Sequence, residues 1–276
     1  MNTAVTLGYV HGYSDHEALR LGCQADTLAG LLHAGTAYPA GSRVLEVGCG
    51  VGAQTVHLAA GSPRARIVAV DVCEASLVQA RARVAAAVPR ARVEWRRADV
   101  RDLPFADGEF DHVFVCFVLE HLVDPVGVLS GLRRVLRPGG TITVIEGDHG
   151  SALFHPPSRY ARAAIDALVQ LQATAGGDAL IGRRLQPLLD SSGYDGVEVC
   201  PRTVYVDRTR PALVDGFTRS TLIAMVEALR EDALAAGLLT PMDWDRGIAD
   251  LRRIADEGGT VHYTFFKACA VNPPRG

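Results

Sequence analysis

Arg43-Val44-Leu45-Glu46-Val47-Gly48-Cys49-Gly50-Val51-Gly52 decides how the rest of the chain is read. A short apolar run with one acid breaks into glycines at alternate positions, and Ala53–Ala60 follows with helical character. A buried strand, a tight turn and a helix start are expected here. The glycines let the backbone bend where a side chain would clash and let a ligand lie against the main chain. The helix then aims its unpaired N–H groups at that ligand.

Working outward, strands and helices alternate from Arg43 to about Asp148. Strands are expected near 43–48, 66–71, 92–96, 112–117 and 141–146, and helices near 52–60, 74–87 and 125–136. That order predicts a parallel sheet covered on both faces. Upstream, Ser14 and Glu17 fit a capping box, and Leu21, Ala25, Leu28 and Leu32 form an apolar stripe that ends by Gly35 and Pro39. Downstream, helices near 158–174 and 178–191 precede a strand at 196–206. Helices near 211–236 and 242–257 then lead to a last strand at 260–270, with Asn272-Pro273-Pro274 as a frayed tail.

The Glu-x-Gly-x-Gly-x-Gly spacing, with no third glycine at the nicotinamide offset, resembles the first motif of class I S-adenosylmethionine (SAM) methyltransferases. The resemblance continues over residues 43–146, through Ile67–Asp71, Arg97–Val100, Leu103–Phe105 with Gly108–Asp111, Phe114–Leu122 and Val135–Gly140. It implies an α/β fold: a Rossmann-like seven-stranded sheet with helices on both faces, an N-terminal helical lid over 1–40, and a methyltransferase domain over 41–276. The last strand would be antiparallel, and residues 207–258 a helical insertion before it, covering the active-site mouth.

The cofactor implied is SAM, with S-adenosylhomocysteine (SAH) as product. Gly48, Cys49 and Gly50 would pass the methionine part, with Glu46 orienting the turn or reaching the SAM amino group through water. Asp71, with Val72 beside it, would accept the ribose hydroxyls. Asp99 would accept the adenine amine between Ala98 and Val100. Phe117 would pack near the methyl, Arg20 and Gln24 would bind the carboxylate, and Tyr9 would close over the cofactor. Methyl transfer asks for in-line positioning, exclusion of water and, for some acceptors, a base. Tyr13, His121 and Glu146 are the candidates, with Asp148 and His149 nearby.

Tyr9–Gln24, Glu146–Gly150 and Gly216–Arg219 are similar to a bacterial subgroup that includes indole C3-methyltransferases, which implies a small aromatic acceptor in secondary metabolism. An O- or N-methyltransferase of a polyketide, quinone or amine is the alternative, and a non-catalytic SAM-binding regulator another. The 276 residues suit one α/β domain, and the net charge of −3 gives no footprint for nucleic acid. Six scattered cysteines lack metal or disulfide spacing, so no metal is expected. No apolar stretch approaches a membrane span and no signal peptide is evident, so the expectation is a cytoplasmic protein, with a homodimer left open.

Overall fold

The structure, a computed structural model, describes residues 15–274. α1 (Asp15–Leu32) leads into β1 (Arg43–Val47), α2 (Ala53–Gly61), β2 (Arg66–Asp71), α3 (Glu74–Ala87), β3 (Val93–Arg97) and β4 (Phe110–Cys116). α4 (Pro125–Val135), β5 (Leu136–His155), α5 (Arg159–Thr174), α6 (Leu185–Ser191) and β6 (Asp195–Val206) follow. Between β6 and β7 (Thr260–Val271) stand α7 (Pro211–Leu213), a π-helix (Val214–Ile223), α8 (Ala224–Glu227), α9 (Arg230–Ala235) and α10 (Pro241–Asp256). The seven strands form one sheet in the order β3-β2-β1-β4-β5-β7-β6, with β7 antiparallel to both neighbours.

Alternation along the central strands sends side chains to two separate cores. Val44, Ile67, Ala69 and Phe114 pack on the face shared with α1, α5 and the helices before β7. Leu45, Val47, Val68, Val113 and Val115 pack on the face covered by α4 and α6. Burial on both faces explains why these strands read as unbroken apolar runs. The order of strands reverses direction beside β1, between β1 and β4, and the crevice lies there, beyond their carboxyl ends.

The helices before β7 lie across that crevice. Gly216 of the π-helix sits so close to Thr27 of α1 that a Cβ would overlap the threonine side chain. Lys267, the chain's single lysine, fastens the C-terminal end of α1. It is 4% exposed, and its Nζ donates to the carbonyls of Leu32 and Ala34 at 3.3 and 2.8 Å and to the Thr36 hydroxyl. A cation on the last carbonyls of a helix complements its dipole.

Several expectations need correction. β5 runs from Leu136 to His155, because β7 extends its pairing past a register shift between Asp148 and Leu153. The helix expected over 211–236 is broken into four pieces with a π-helical centre. Asn272 is not frayed. It is 5% exposed, and its Nδ2 donates to the carbonyls of Arg133, Leu136 and Arg137 at 3.1, 2.7 and 3.3 Å. Arg133 Nε returns a bond to its Oδ1 at 3.2 Å, so one amide closes the end of α4. Asn272→Ala is expected to cost about 2 kcal/mol and to lower Tm by roughly 4–8 °C in a thermal melt; an unchanged Tm would refute this role. Ser14 and its capping box lie outside the described residues.

Candidate functional site

A cavity of about 960 Å³ opens at the carboxyl ends of β1, β2 and β4, between them and α1, β7 and the π-helix. Its first wall is the glycine turn. Gly48, Gly50 and Gly52 have φ of 65°, 50° and 74°, where other L-residues are strained. A Cβ on Gly48 would lie 2.6 Å from Val118 Cγ2, and one on Gly52 would lie 2.9 Å from Ala80 Cα. At Gly50 it would meet nothing within 4 Å. Gly50 therefore faces the open space, whereas Gly52 is needed for α2 and α3 to approach.

That difference yields a paired expectation. Gly52→Ala loses at least about 2 kcal/mol of stability from strain and overlap with backbone. Gly50→Ala carries only the left-handed strain, about 1–2 kcal/mol, without the added overlap of Gly52→Ala, but loses SAH affinity by about tenfold or more, since its methyl takes ligand space. Melting curves and calorimetric titration separate the two, and equal effects in both assays would contradict the assignment.

Asp71 ends β2 at the cavity, its Oδ2 accepting from Gly50 N at 2.8 Å and its Oδ1 from Cys73 N at 2.9 Å. It holds the glycine turn and the start of α3 together, and each oxygen keeps acceptor capacity for a hydroxyl. Val72, Ala98 and Val100 line the same side, with Val72 49% exposed. Asp99 also lines the cavity, but the Arg101 guanidinium forks onto both its oxygens at 2.6–3.1 Å. That ion pair holds the Asp99 carboxyl below its usual range.

Arg20 and Gln24 face the cavity from α1, joined by Glu17, which the sequence reading had placed only as a cap. Arg20 Nε and Nη2 bind the Glu17 carboxylate at 2.7 and 2.6 Å, and Nη1 donates to Gln24 Oε1 at 3.1 Å. A ligand carboxylate would share this arginine with Glu17. Tyr9 and Tyr13 lie outside the described residues.

Glu46 and Glu146 do not line the cavity. Glu46 is 2% exposed beneath the glycine turn, and its Oε2 has no hydrogen-bond partner among the described residues. Burial, reinforced by the Asp71 charge and opposed by the Thr55 hydroxyl, pushes its carboxyl up to about 8. Glu146 is fully buried, and its Oε1 accepts from Val118 N at 3.0 Å and Leu119 N at 2.8 Å. It closes the turn after β4, where Phe117 takes a left-handed φ of 57°. A bulky residue in that conformation persists only where its surroundings fix it. Glu146 Oε1 thus clamps the chain reversal that swings Phe117 into the cavity, while the side chain stays outside the cavity lining and its Oε2 has no hydrogen-bond partner among the described residues.

The turn Leu119–His121 presents the polar groups instead. Glu120 Oε1 lies 3.6 Å from His121 Nε2, and Glu120 Oε2 lies 3.7 Å from His149 Nε2 and 3.1 Å from Gln172 Nε2. Burial pushes the Glu120 carboxyl up, but the two imidazoles and Gln172 outweigh it and bring it below the usual carboxylate range. His121 is pushed down by burial, against the pull of Glu120. An imidazole beside a carboxylate is placed to take a proton and be held as its cation. Asp148, by contrast, is spent on Arg183 at 2.7 and 2.8 Å.

The remaining wall is aromatic. Phe117, Phe217, Tyr263 and Phe265 line the cavity, with ring centroids 4.7–6.1 Å apart in successive contacts. Leu222 and Met225 continue it from the π-helix and α8. In sheet order the nucleoside-sized wall belongs to β1, β2 and β3, and the aromatic wall to β4 and β7. Glu120, Tyr263 and Phe265 were missed in the sequence. Tyr263 and Phe265 stand two apart on one strand face, a period-2 signal that could have found them.

The residues fit a nucleoside-bearing cofactor with a methionine tail. The Gly50 cradle is open, an acid with spare acceptors stands about twenty residues on, and apolar residues stand where a flat ring would lie. Among the described residues no group of His, Cys, Asp or Glu is arranged to hold a metal, and no helix is long and apolar enough to cross a membrane.

Residues 45–144 match the family described as a methyltransferase domain. The O-methyltransferase resE of Aspergillus sclerotiorum is 29% identical over 76% of this chain and 76% of its own length. The ubiquinone/menaquinone biosynthesis C-methyltransferase UbiE of Paracoccus denitrificans is 32% identical over 50% of this chain and 59% of its own. Two further curated relatives are covered over 58% and 42% of their lengths, so the chain spans about half of most of them. Among solved structures, Haemonchus contortus phosphoethanolamine N-methyltransferase 2 with phosphomonomethylethanolamine and SAH superposes with a TM-score of 0.56. It is 19% identical, over 90% of this chain and 53% of that one.

Proposed function

We propose that the chain, which carries a methyltransferase domain over residues 45–144, is a class I SAM-dependent methyltransferase that methylates a small aromatic molecule, with an indole carbon as the acceptor. The carrying observation is the enclosure of Phe117, Phe217, Tyr263 and Phe265, next to a carboxylate flanked by two imidazoles. Rings at offset and tilted angles favour a flat aromatic guest over an aliphatic one. The similarity to an O-methyltransferase and a quinone C-methyltransferase supports a small-molecule acceptor.

SAM supplies an electrophilic methyl on a sulfonium. What this chain contributes is placement and a proton sink. The glycine turn and Asp71 fix the nucleoside end, Phe117 and Phe265 hold the acceptor in line, and α1 with the π-helix excludes water. Glu120 orients His121 and His149 and stabilises either as an imidazolium. An electron-rich ring becomes a better nucleophile as its N–H or O–H proton leaves. The acids and bases expected at Tyr13 and Glu146 are not needed for this.

Two measurements test the reading. Calorimetric titration should find SAH bound by the purified chain. Mass spectrometry on a panel of indoles, phenols and quinols should find methylation of an indole carbon. A product methylated only on oxygen or nitrogen would refute the indole assignment, and SAH binding without any product would leave a regulator.

A further inference from the structure

Tyr263 sits at the centre of the aromatic wall, 4.7 Å from the Phe265 ring and 5.5 Å from the Phe217 ring. Its Oη lies 3.1 Å from His149 Nδ1. Gly147 leaves room for this, since a Cβ there would stand 2.6 Å from the hydroxyl. A phenol has one proton and two lone pairs. The proton goes to His149, which leaves acceptor capacity on the oxygen for a ligand's proton. His149 Nε2 faces Glu120 Oε2 at 3.7 Å, so the tautomer that suits its partners carries the proton on Nε2 and accepts on Nδ1.

We infer that Tyr263 takes the acceptor's proton and passes its own to His149, with Glu120 holding the imidazolium that results. The inference rests on an aromatic acceptor that carries an acidic N–H or O–H. In the step, the acceptor's X–H bond breaks and its proton moves to Tyr263 Oη, while the Tyr263 proton moves to His149 Nδ1. The electron pair left on the acceptor forms the bond to the methyl group, and the pair of the methyl–sulfur bond stays on sulfur. The proton on His149 then leaves to solvent. Tyr263 is the catalytic residue here, and His149 and Glu120 position and relay.

Other charges face this relay from every side. Glu146 and the Asp148–Arg183 pair lie behind it, His121 lies across Glu120, and Glu17 and Arg20 lie opposite on α1. Glu146 and Asp148 are both turned away, into the Val118–Leu119 amides and Arg183. Burial pushes the Tyr263 phenol well up, so at neutral pH it starts protonated, as the relay requires.

The test has two arms on the full chain. In the first, ¹⁵N-histidine NMR of the SAH-loaded protein, with His149→Gln for assignment, reads the tautomer. An unprotonated Nδ1 on His149 that shifts in Tyr263→Phe is expected; a protonated Nδ1, or no shift, would overturn the relay. This arm holds whether or not any acceptor is found. In the second, an indole turned over in the panel is compared with its N-methyl counterpart. Tyr263→Phe is expected to lower kcat for the N–H indole by about 10²-fold or more at pH 7, recovering as pH rises, with KM and SAH affinity unchanged. The N-methyl counterpart, with no such proton, should lose far less. Equal losses on both compounds, or a loss confined to KM, would mean that Tyr263 only packs.

Discussion

Asp71→Ala is expected to weaken SAH binding by roughly 10²- to 10³-fold in calorimetric titration. The carboxylate accepts Gly50 N–H at 2.8 Å and Cys73 N–H at 2.9 Å, so it fixes the very turn that cradles the ligand. Hydrogen bonds to a charged group are each worth about 1.5–3 kcal/mol, and about 1.4 kcal/mol is tenfold in affinity. Removing the acid releases the turn and takes away the acceptor for the ribose hydroxyls. Asp71→Asn keeps one oxygen acceptor and should fall between. An alanine variant that binds within about threefold of wild type would remove Asp71 from the cofactor site.

Glu46→Gln is expected to flatten the dependence of stability on pH. The folded chain holds the Glu46 proton up to about 8, against 4.5 for the free side chain. Below about pH 4.5 both states carry the proton and the residue costs nothing. As pH rises toward 8 the unfolded chain ionises first, so the wild type loses stability relative to the glutamine variant. At about 1.4 kcal/mol per pH unit the difference reaches on the order of 4–5 kcal/mol by pH 8 and then stays level. Urea denaturation at several pH values, taken as variant minus wild type, cancels the titrating groups that do not feel the Glu46 charge. Parallel stability curves would show that Glu46 ionises as freely folded as unfolded.

The sheet was legible because its signals are local. The glycine turn, the run Ile67–Asp71 and the helix Glu74–Ala87 each carry their own period and end signals, and all three appear where expected. The acids around the cavity were not legible. Glu120 and Glu146 each follow an apolar residue, and nothing in either neighbourhood says which one faces a ligand. The left-handed Phe117 decides it, by turning Glu120 toward the cavity while one oxygen of Glu146 holds that turn. Asn272 was misread for a related reason, since its partners at Arg133, Leu136 and Arg137 lie more than a hundred residues away. Sequence windows see propensity and period; they do not see which distant carbonyls lack a donor.

Lys267 has a practical consequence. Its ε-amine is the only one in the chain, and it is sealed beneath the last carbonyls of α1. An amine-selective acylating reagent therefore finds no surface lysine to consume it, and modification at Lys267 reports the moments when α1 lifts from β7. The rate of that labelling, with and without ligand, is a native clock for opening of the cover, and it needs no engineered probe.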